Sequence, residues 1–137
     1  MENKPKFGAE IVKELENSIN LESASRPEDL GKFFVLRANA GDVEGLIALY
    51  EPDAILACGD GQTAIGSEAI RRFYTDLLAT RPQFAAGEQA TPLQNGDLAL
   101  TSSRLGNGNV TAEIARRQSD RNWLWAVDQP VIAAGNF

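Results

Sequence analysis

Apolar and polar residues alternate through the last third of the chain, and two short polar loops interrupt the alternation. The alternating segments, at 98–105, 110–118 and 123–129, are rich in the β-branched and aromatic residues typical of strands. The loops at 106–109 and 119–122 contain Gly, Asn, Ser and Asp, which tolerate the backbone angles of hairpin turns. The pattern predicts a curved antiparallel sheet that forms the platform of the domain.

Upstream of this sheet, apolar residues recur at the three- and four-residue spacing of helices. Helices are predicted over 28–40, 42–50 and 68–80, and a hairpin over 53–65 turns at Asp60-Gly61. A further strand is predicted over 83–91. Helices followed by a run of strands define an α+β fold class.

The N-terminal region has a pattern of its own. An amphipathic helix is predicted over 9–19, ahead of a polar linker at 20–25. This helix either docks on the domain or serves as an arm to a partner. We therefore divide the chain into an N-terminal helical extension at 1–24 and one α+β domain at 25–137.

The two loops also predict a register for the strands. With four residues in each loop, Leu105 faces Val110 and Gln118 faces Trp123. Side chains alternate between the faces of a sheet, so one face collects a polar cluster beside small and apolar residues. These residues predict a ligand pocket: Leu100, Ser102, Arg104, Glu113, Ala115, Ala126 and Asp128.

Glu113 and Asp128 are the candidate catalytic residues, with Arg104 assisting them. Two adjacent carboxylates in a half-apolar site raise the pKa of one of them, which gives one acid and one base. The alternative is that Glu113 forms an ordinary cross-strand ion pair with Arg104 or Arg117, while Asp128 caps the end of its strand. Tyr50 and Tyr74 either point their hydroxyls into the same pocket or pack as core residues with a solvated tip.

Trp123 and Trp125 fall on the opposite face under this register. With Val110, Ile114 and Val127 they form an apolar surface too large to remain exposed. The pattern predicts either a homodimer interface or a core covered by helices.

Composition narrows the possible chemistry. The 137 residues carry a net charge of −6, which argues against nucleic-acid binding, and the chain has no apolar stretch long enough to span a membrane. The absence of histidine leaves acid–base chemistry to carboxylates, tyrosine, lysine or water. A single cysteine, Cys58, suits the cytoplasm. We expect no metal and no cofactor.

Three segments resemble the nuclear transport factor 2-like (NTF2-like) superfamily, which includes ketosteroid isomerase and the SnoaL-like polyketide cyclases. They are GDVEGLIALYEPDA at 41–54, GSEAIRRFY at 66–74, and the pair AEIARRQ and WLWAVDQP within 112–130. The resemblance covers roughly residues 25–130 and implies a cone-shaped, cystatin-like α+β fold. In place of the first-helix tyrosine of ketosteroid isomerase, this chain has Phe33 and Phe34.

The resemblance implies a cofactor-free, SnoaL-like domain that binds a small apolar or polycyclic molecule in its cone. One alternative is a carboxylate-based isomerase, cyclase or epoxide-hydrolase-like enzyme. Another is a homodimeric assembly module without catalysis. The fold alone does not choose between them, since it hosts both enzymes and binding domains.

Overall fold

Three helices and an eight-stranded mixed sheet make up the part of the chain that the computed structural model describes, residues 22–133. The helices are α1 (Asp29–Asn39), α2 (Val43–Ile47) and α3 (Gly66–Leu78). The strands are β1 (Tyr50–Gly59), β2 (Gln62–Ile65), β3 (Glu88–Gln89), β4 (Leu93–Asn95), β5 (Leu98–Thr101), β6 (Ser103–Arg104), β7 (Val110–Arg117) and β8 (Trp123–Ala133). The helix predicted over 9–19 lies outside the described residues.

The predicted α+β class is confirmed. The strand order is β2-β1-β8-β7-β5-β4, and the short strand β3 pairs with β6 beside this path. β1 runs parallel to β8, whereas all other paired strands are antiparallel. The helices cover one face of the sheet, called here the inner face, which carries Ala99, Thr101, Glu113 and Ala115.

Local sequence signals explain where the helices begin and end. Asp42 caps α2 by accepting a hydrogen bond from Gly45 N at 2.9 Å. In α3, every fourth residue is buried, Ile70, Tyr74 and Leu78, so one stripe of the helix faces the sheet. The helix predicted over 42–50 is shorter than expected, because strand β1 begins at Tyr50.

The first hairpin differs from its predicted register by one residue. Arg104, rather than Leu105, pairs with Val110. Leu105 N donates to Asn109 O at 2.8 Å, and Gly108 adopts a φ of 89°, so the loop has five residues instead of four. Because one residue changes the face of every side chain, Thr101 takes the place beside Glu113.

The second hairpin is also one residue longer, yet the predicted pairing of Glu113 with Asp128 is confirmed. Arg117 pairs with Trp123, and Gln118 N donates a hydrogen bond to Asn122 O at 2.7 Å across the base of the loop. A β-bulge then restores the predicted register. Ala115 pairs with Trp125 and the next residue, Ile114, pairs with Val127, so Ala126 has no partner in β7.

This shift places Trp123 and Trp125 in the core. Their side chains are only 2% and 4% exposed, on the inner face. Neither indole is therefore available for the predicted homodimer contact, and the alternative of a helix-covered core describes both residues.

The opposite, outer face of the sheet carries an aliphatic row. Cross-strand pairing aligns one aliphatic side chain from each of six strands, all between 39% and 70% exposed. The row consists of Ile65, Ile55, Val127, Ile114, Leu100 and Leu93. Six aligned aliphatic side chains form a continuous apolar strip across the sheet.

Within residues 22–133, no helix is long and apolar enough to cross a membrane. The cytoplasmic location expected from the single cysteine remains a prediction.

Candidate functional site

A cavity of about 910 Å³ lies between the helices and the inner face of the sheet. Aromatic side chains from the helices, from a loop and from β8 line its walls: Phe34, Phe73, Tyr74, Phe84 and Trp125. Glu113 and Asp128 contribute carboxylates from the sheet, and Thr101 and Thr111 add hydroxyls. Apolar walls with a few convergent polar groups are typical of small-molecule sites.

A short chain of hydrogen bonds supports Asp128. Tyr50 donates its hydroxyl proton to Asp128 Oδ2 at 2.5 Å, and the Tyr50 and Tyr74 hydroxyl oxygens are 2.6 Å apart. A phenol has one proton to give, so Tyr74 donates to Tyr50 when Asp128 is ionised. The first residue of β1, the middle of α3 and strand β8 thus meet at one carboxylate.

Burial raises the pKa of Asp128 to about 7. The Tyr50 hydrogen bond lowers this pKa and the charge of Glu113 raises it, but desolvation is the largest cause. The pKa of Glu113 is also raised by burial, although hydrogen bonds from Thr111 and Thr101 oppose the shift. The two carboxyl groups therefore hold protons at a pH where exposed carboxyls have lost them.

The tyrosines remain protonated. Burial, followed by the charge of Asp128, raises the pKa of Tyr50 and of Tyr74 well above the ordinary value. Both phenols therefore act as hydrogen-bond donors over the physiological pH range. Tyr74 lines the cavity, whereas Tyr50 connects it to Asp128.

Several predicted site residues come together as expected. Glu113 and Asp128 pair across β7 and β8, with Thr101 Oγ1 donating to Glu113 Oε1 at 2.7 Å. Ala115 and Ala126, predicted to line the pocket, are buried in the same two strands but do not line the cavity. The alternative ion pair of Glu113 with Arg117 is not formed, because Arg117 bonds to Asp97 at 2.9 Å.

The predicted placement of Arg104, Leu100 and Ser102 is wrong, because the first loop is one residue longer than expected. Arg104 is exposed, and Leu100 belongs to the aliphatic row of the outer face. Ser102 donates its hydroxyl to Thr111 O at 2.7 Å, and among the described residues Ser103 lines the cavity in its place. We therefore assign Arg104 no part in the site.

The residues of the cavity walls carry only a weak signal at the level of sequence. Phe34 and Phe73 occur at helical core positions, where an aromatic residue that lines a cavity looks the same as one that fills a core. Once the register is known, the alternation of side chains along the strands puts Thr101 and Thr111 on the inner face. Only the tertiary structure separates these residues from ordinary core residues.

A second cavity, of about 680 Å³, lies beside α2 and the loop between β7 and β8. Arg37 contributes to its wall and is buried, with Nη1 donating to Gly45 O at 2.8 Å and Nη2 to Glu22 O at 2.5 Å. These bonds connect α1 with α2 and with the segment before α1. We interpret Arg37 as a structural residue.

The fold is the cystatin-like fold of NTF2-like proteins. An NTF2-like protein from Novosphingobium aromaticivorans aligns with a TM-score of 0.59 at 18% identity, over 99% of this chain and 94% of that chain. A ketosteroid isomerase-like protein from Erwinia carotovora aligns with a TM-score of 0.55 at 22% identity, over 74% of this chain and 88% of that chain.

A third similar structure is a candidate calcium/calmodulin-dependent protein kinase type II association domain from Thiobacillus denitrificans. It aligns with a TM-score of 0.63 at 12% identity, over 80% of this chain and 98% of that chain. No protein-family model and no curated protein matches the sequence. At these identities the similarity establishes the fold, and the function must be argued from the site.

Proposed function

We propose that this protein binds a small, ring-containing apolar molecule in the cavity on the inner face of its sheet. The observation that carries the proposal is the cavity itself, about 910 Å³ in volume, with aromatic walls, the buried carboxyl group of Asp128 and the half-buried carboxyl group of Glu113. This volume and this lining suit a ligand of two to four rings. The cystatin-like fold positions the cavity between α1, α3 and the sheet.

Binding of the neutral polycyclic dye Nile red tests this proposal. We expect its fluorescence to rise on titration with the protein, with a micromolar dissociation constant. Ala86 lines the cavity, so Ala86→Trp should weaken binding at least tenfold by filling it. Ala79→Trp, at an exposed position at the end of α3, is the matched control. Equal binding by both variants would contradict the proposal.

A second candidate function is proton-transfer catalysis of the isomerase or cyclase type, favoured by the environment of Asp128. A carboxyl group with a pKa of about 7, beside a second carboxyl group and a protonated phenol, suits a general base with its acid partner. Epoxide-hydrolase-like chemistry that uses Arg104 loses its support, since Arg104 lies outside the cavity.

Exchange of the α-hydrogens of 2-indanone in deuterated water, followed by proton NMR, tests proton transfer. The wild-type protein should accelerate exchange above the buffer rate, and the acceleration should increase as the pH rises through about 7, where Asp128 becomes a base. Asp128→Asn should remove the acceleration. Identical exchange rates with and without the protein would refute proton-transfer catalysis, and ligand binding would be the only remaining function.

The aliphatic row favours a homodimer formed through the outer face as an accompanying property. Six aligned aliphatic side chains, including Ile55, Ile114 and Val127, would be removed from water by a second copy of the sheet. Sedimentation velocity should give a dimer for the wild type and a monomer for Ile114→Lys. Leu36→Lys, at an exposed apolar position on α1, should leave the dimer intact. A wild-type monomer at 100 μM would refute this arrangement.

A further inference from the structure

The charged groups that line the cavity are predominantly acidic. Glu28, Glu113 and Asp128 carry carboxyl groups, whereas Lys32 supplies the cationic side chain among the described lining residues. Lys32 is exposed on α1, but Glu113 and Asp128 project from the sheet, and Asp128 is only 6% exposed. An anionic ligand would therefore meet like charge at the sheet side of the cavity.

Asp128 has an acceptor atom that the described protein leaves unused. Its Oδ2 accepts the Tyr50 hydrogen bond, while Oδ1 accepts none from residues 22–133. Oδ1 is not fully enclosed by the described residues, so a donor in the cavity, either water or a ligand group, can reach it. A partner for Oδ1 has to be a donor, and Tyr50 has no further proton to give.

The wall next to Asp128 contains a second unpaired polar atom. Trp125 is 4% exposed, and its indole Nε1 is buried without a hydrogen-bond partner among the described residues. Buried donors without acceptors are rare in folded proteins. The indole Nε1 is an enclosed donor and does not select the charge of a ligand, so it is the open acceptor on Asp128 that calls for a donor group in the cavity.

The aromatic walls suit a cation as well as an apolar ring. The Phe34 and Trp125 rings are 6.3 Å apart, and the Phe73 and Tyr74 rings are 5.2 Å apart, all on the cavity wall. Aromatic faces attract ammonium groups, and the attraction grows when water is excluded. The carboxylates and the aromatic rings thus both favour a positively charged ligand.

We propose that the ligand of this cavity is a hydrophobic amine, whose protonated nitrogen donates to Asp128 beside Glu113 and whose ring system packs against the aromatic walls. This inference rests on the proposed binding function and names its ligand class. The ammonium would neutralise a buried carboxylate and supply the donor that Oδ1 lacks.

Three compounds with one adamantane cage test the charge requirement: 1-adamantylamine, 1-adamantanol and 1-adamantanecarboxylate. By calorimetry at pH 8.5, we expect the amine to bind at least tenfold more tightly than the alcohol, and the carboxylate to bind least. Asp128→Asn should reduce the preference for the amine to threefold or less. Asp76→Asn, an exposed substitution on α3 outside the lining, removes the same charge and should preserve the preference.

The pH dependence provides a second measurement. Between pH 8.5 and 6, amine affinity should fall about tenfold because the carboxyl groups take up protons, whereas alcohol affinity should stay constant. The groups that face Asp128 are Tyr50 from β1, Tyr74 from α3 and Glu113 from β7, and both phenols keep their protons throughout this range. If Asp128→Asn fails to fold by circular dichroism, Glu113→Gln replaces it in the same comparison.

The outcomes separate the two proposals. If Nile red binds but the amine binds no better than the alcohol, the amine inference is overturned and the binding function stands. The same conclusion follows if Nile red binds and no adamantane compound does. If neither Nile red nor the amine binds, both proposals fail.

Discussion

Replacement of Asp128 by asparagine should make the protein more stable at alkaline pH, although it removes the central polar group of the site. The folded protein raises the pKa of this carboxyl to about 7, whereas an aspartate in an unfolded chain titrates near about 3.9. As the pH rises from 4, the unfolded chain therefore loses this proton first. The free energy of unfolding then falls until the folded protein is ionised as well.

The size of the effect follows from the two pKa values. A difference of about three pKa units corresponds to about 4 kcal/mol, lost between pH 4 and a little above pH 7. The part of this loss that falls between pH 5 and pH 8.5 is about 3 kcal/mol. Asparagine carries no charge, and its amide oxygen still accepts the Tyr50 hydrogen bond. The variant therefore avoids this loss.

Urea denaturation at pH 5 and pH 8.5 measures the difference. The free energy of unfolding of Asp128→Asn, relative to wild type, should increase by about 3 kcal/mol from the lower to the higher pH. Asp53→Asn, an exposed substitution on β1, should stay within about 0.5 kcal/mol of wild type at both values. A variant that is less stable than wild type at pH 8.5 would show that Asp128 is not desolvated as described.

Further substitutions test the contacts around the site and the helices. Tyr50→Phe should raise the pKa of Asp128 by about one unit, because the hydrogen bond that lowers this pKa is lost. Carbon-13 NMR of labelled aspartate measures the pKa, and an unchanged value would contradict the prediction. Asp42→Ala should cost about 1 kcal/mol of stability in urea. Gly45→Ala, whose methyl would overlap the Asp42 carboxylate, should cost less in the Asp42→Ala background, and additivity would refute that overlap. Arg37→Ala should cost about 2–4 kcal/mol at any pH between 5 and 8.5, since two carbonyls lose their donor; a loss below 1 kcal/mol would show that these bonds contribute little.

Local signals were sufficient for much of the fold. Asp60 and Gly61 adopt positive φ angles, 55° and 74°, in the turn that the dipeptide predicted. Asp42 caps α2, and the apolar stripe of α3 faces the sheet as its spacing required. These features depend on residues a few positions apart, which is the range over which backbone propensity and periodicity act.

The carboxylate pair was predicted for a reason that was only partly correct. Each hairpin loop has one residue more than the sequence indicated, so the pairing of Glu113 with Asp128 should have failed by one position. The β-bulge at Ala126 compensates for the second loop, and nothing in the segment WLWAVDQP marks a bulge. No bulge compensates for the first loop, so Arg104 was assigned to the wrong face.

The hydrogen bonds around Asp128 could not be predicted from the sequence. Tyr50 and Asp128 are 78 positions apart, and the parallel pairing of β1 with β8 brings them together. That pairing depends on how the whole sheet closes, not on any local motif. The sequence suggested Tyr50 and Tyr74 as pocket residues, but their order in the chain of hydrogen bonds required the structure.

The ionised carboxyl group of Asp128 destabilises the folded protein. A cost of about 4 kcal/mol at neutral to alkaline pH is a large fraction of the 5–15 kcal/mol that separates folded from unfolded domains. Asparagine would satisfy Tyr50 without this cost, and a larger apolar side chain would fill the adjoining cavity. A buried carboxyl that is destabilising in place, with one oxygen unpaired within residues 22–133, is expected where a ligand or a proton must be bound. The gain in stability predicted for Asp128→Asn and the loss of amine binding are therefore two consequences of the same desolvated charge.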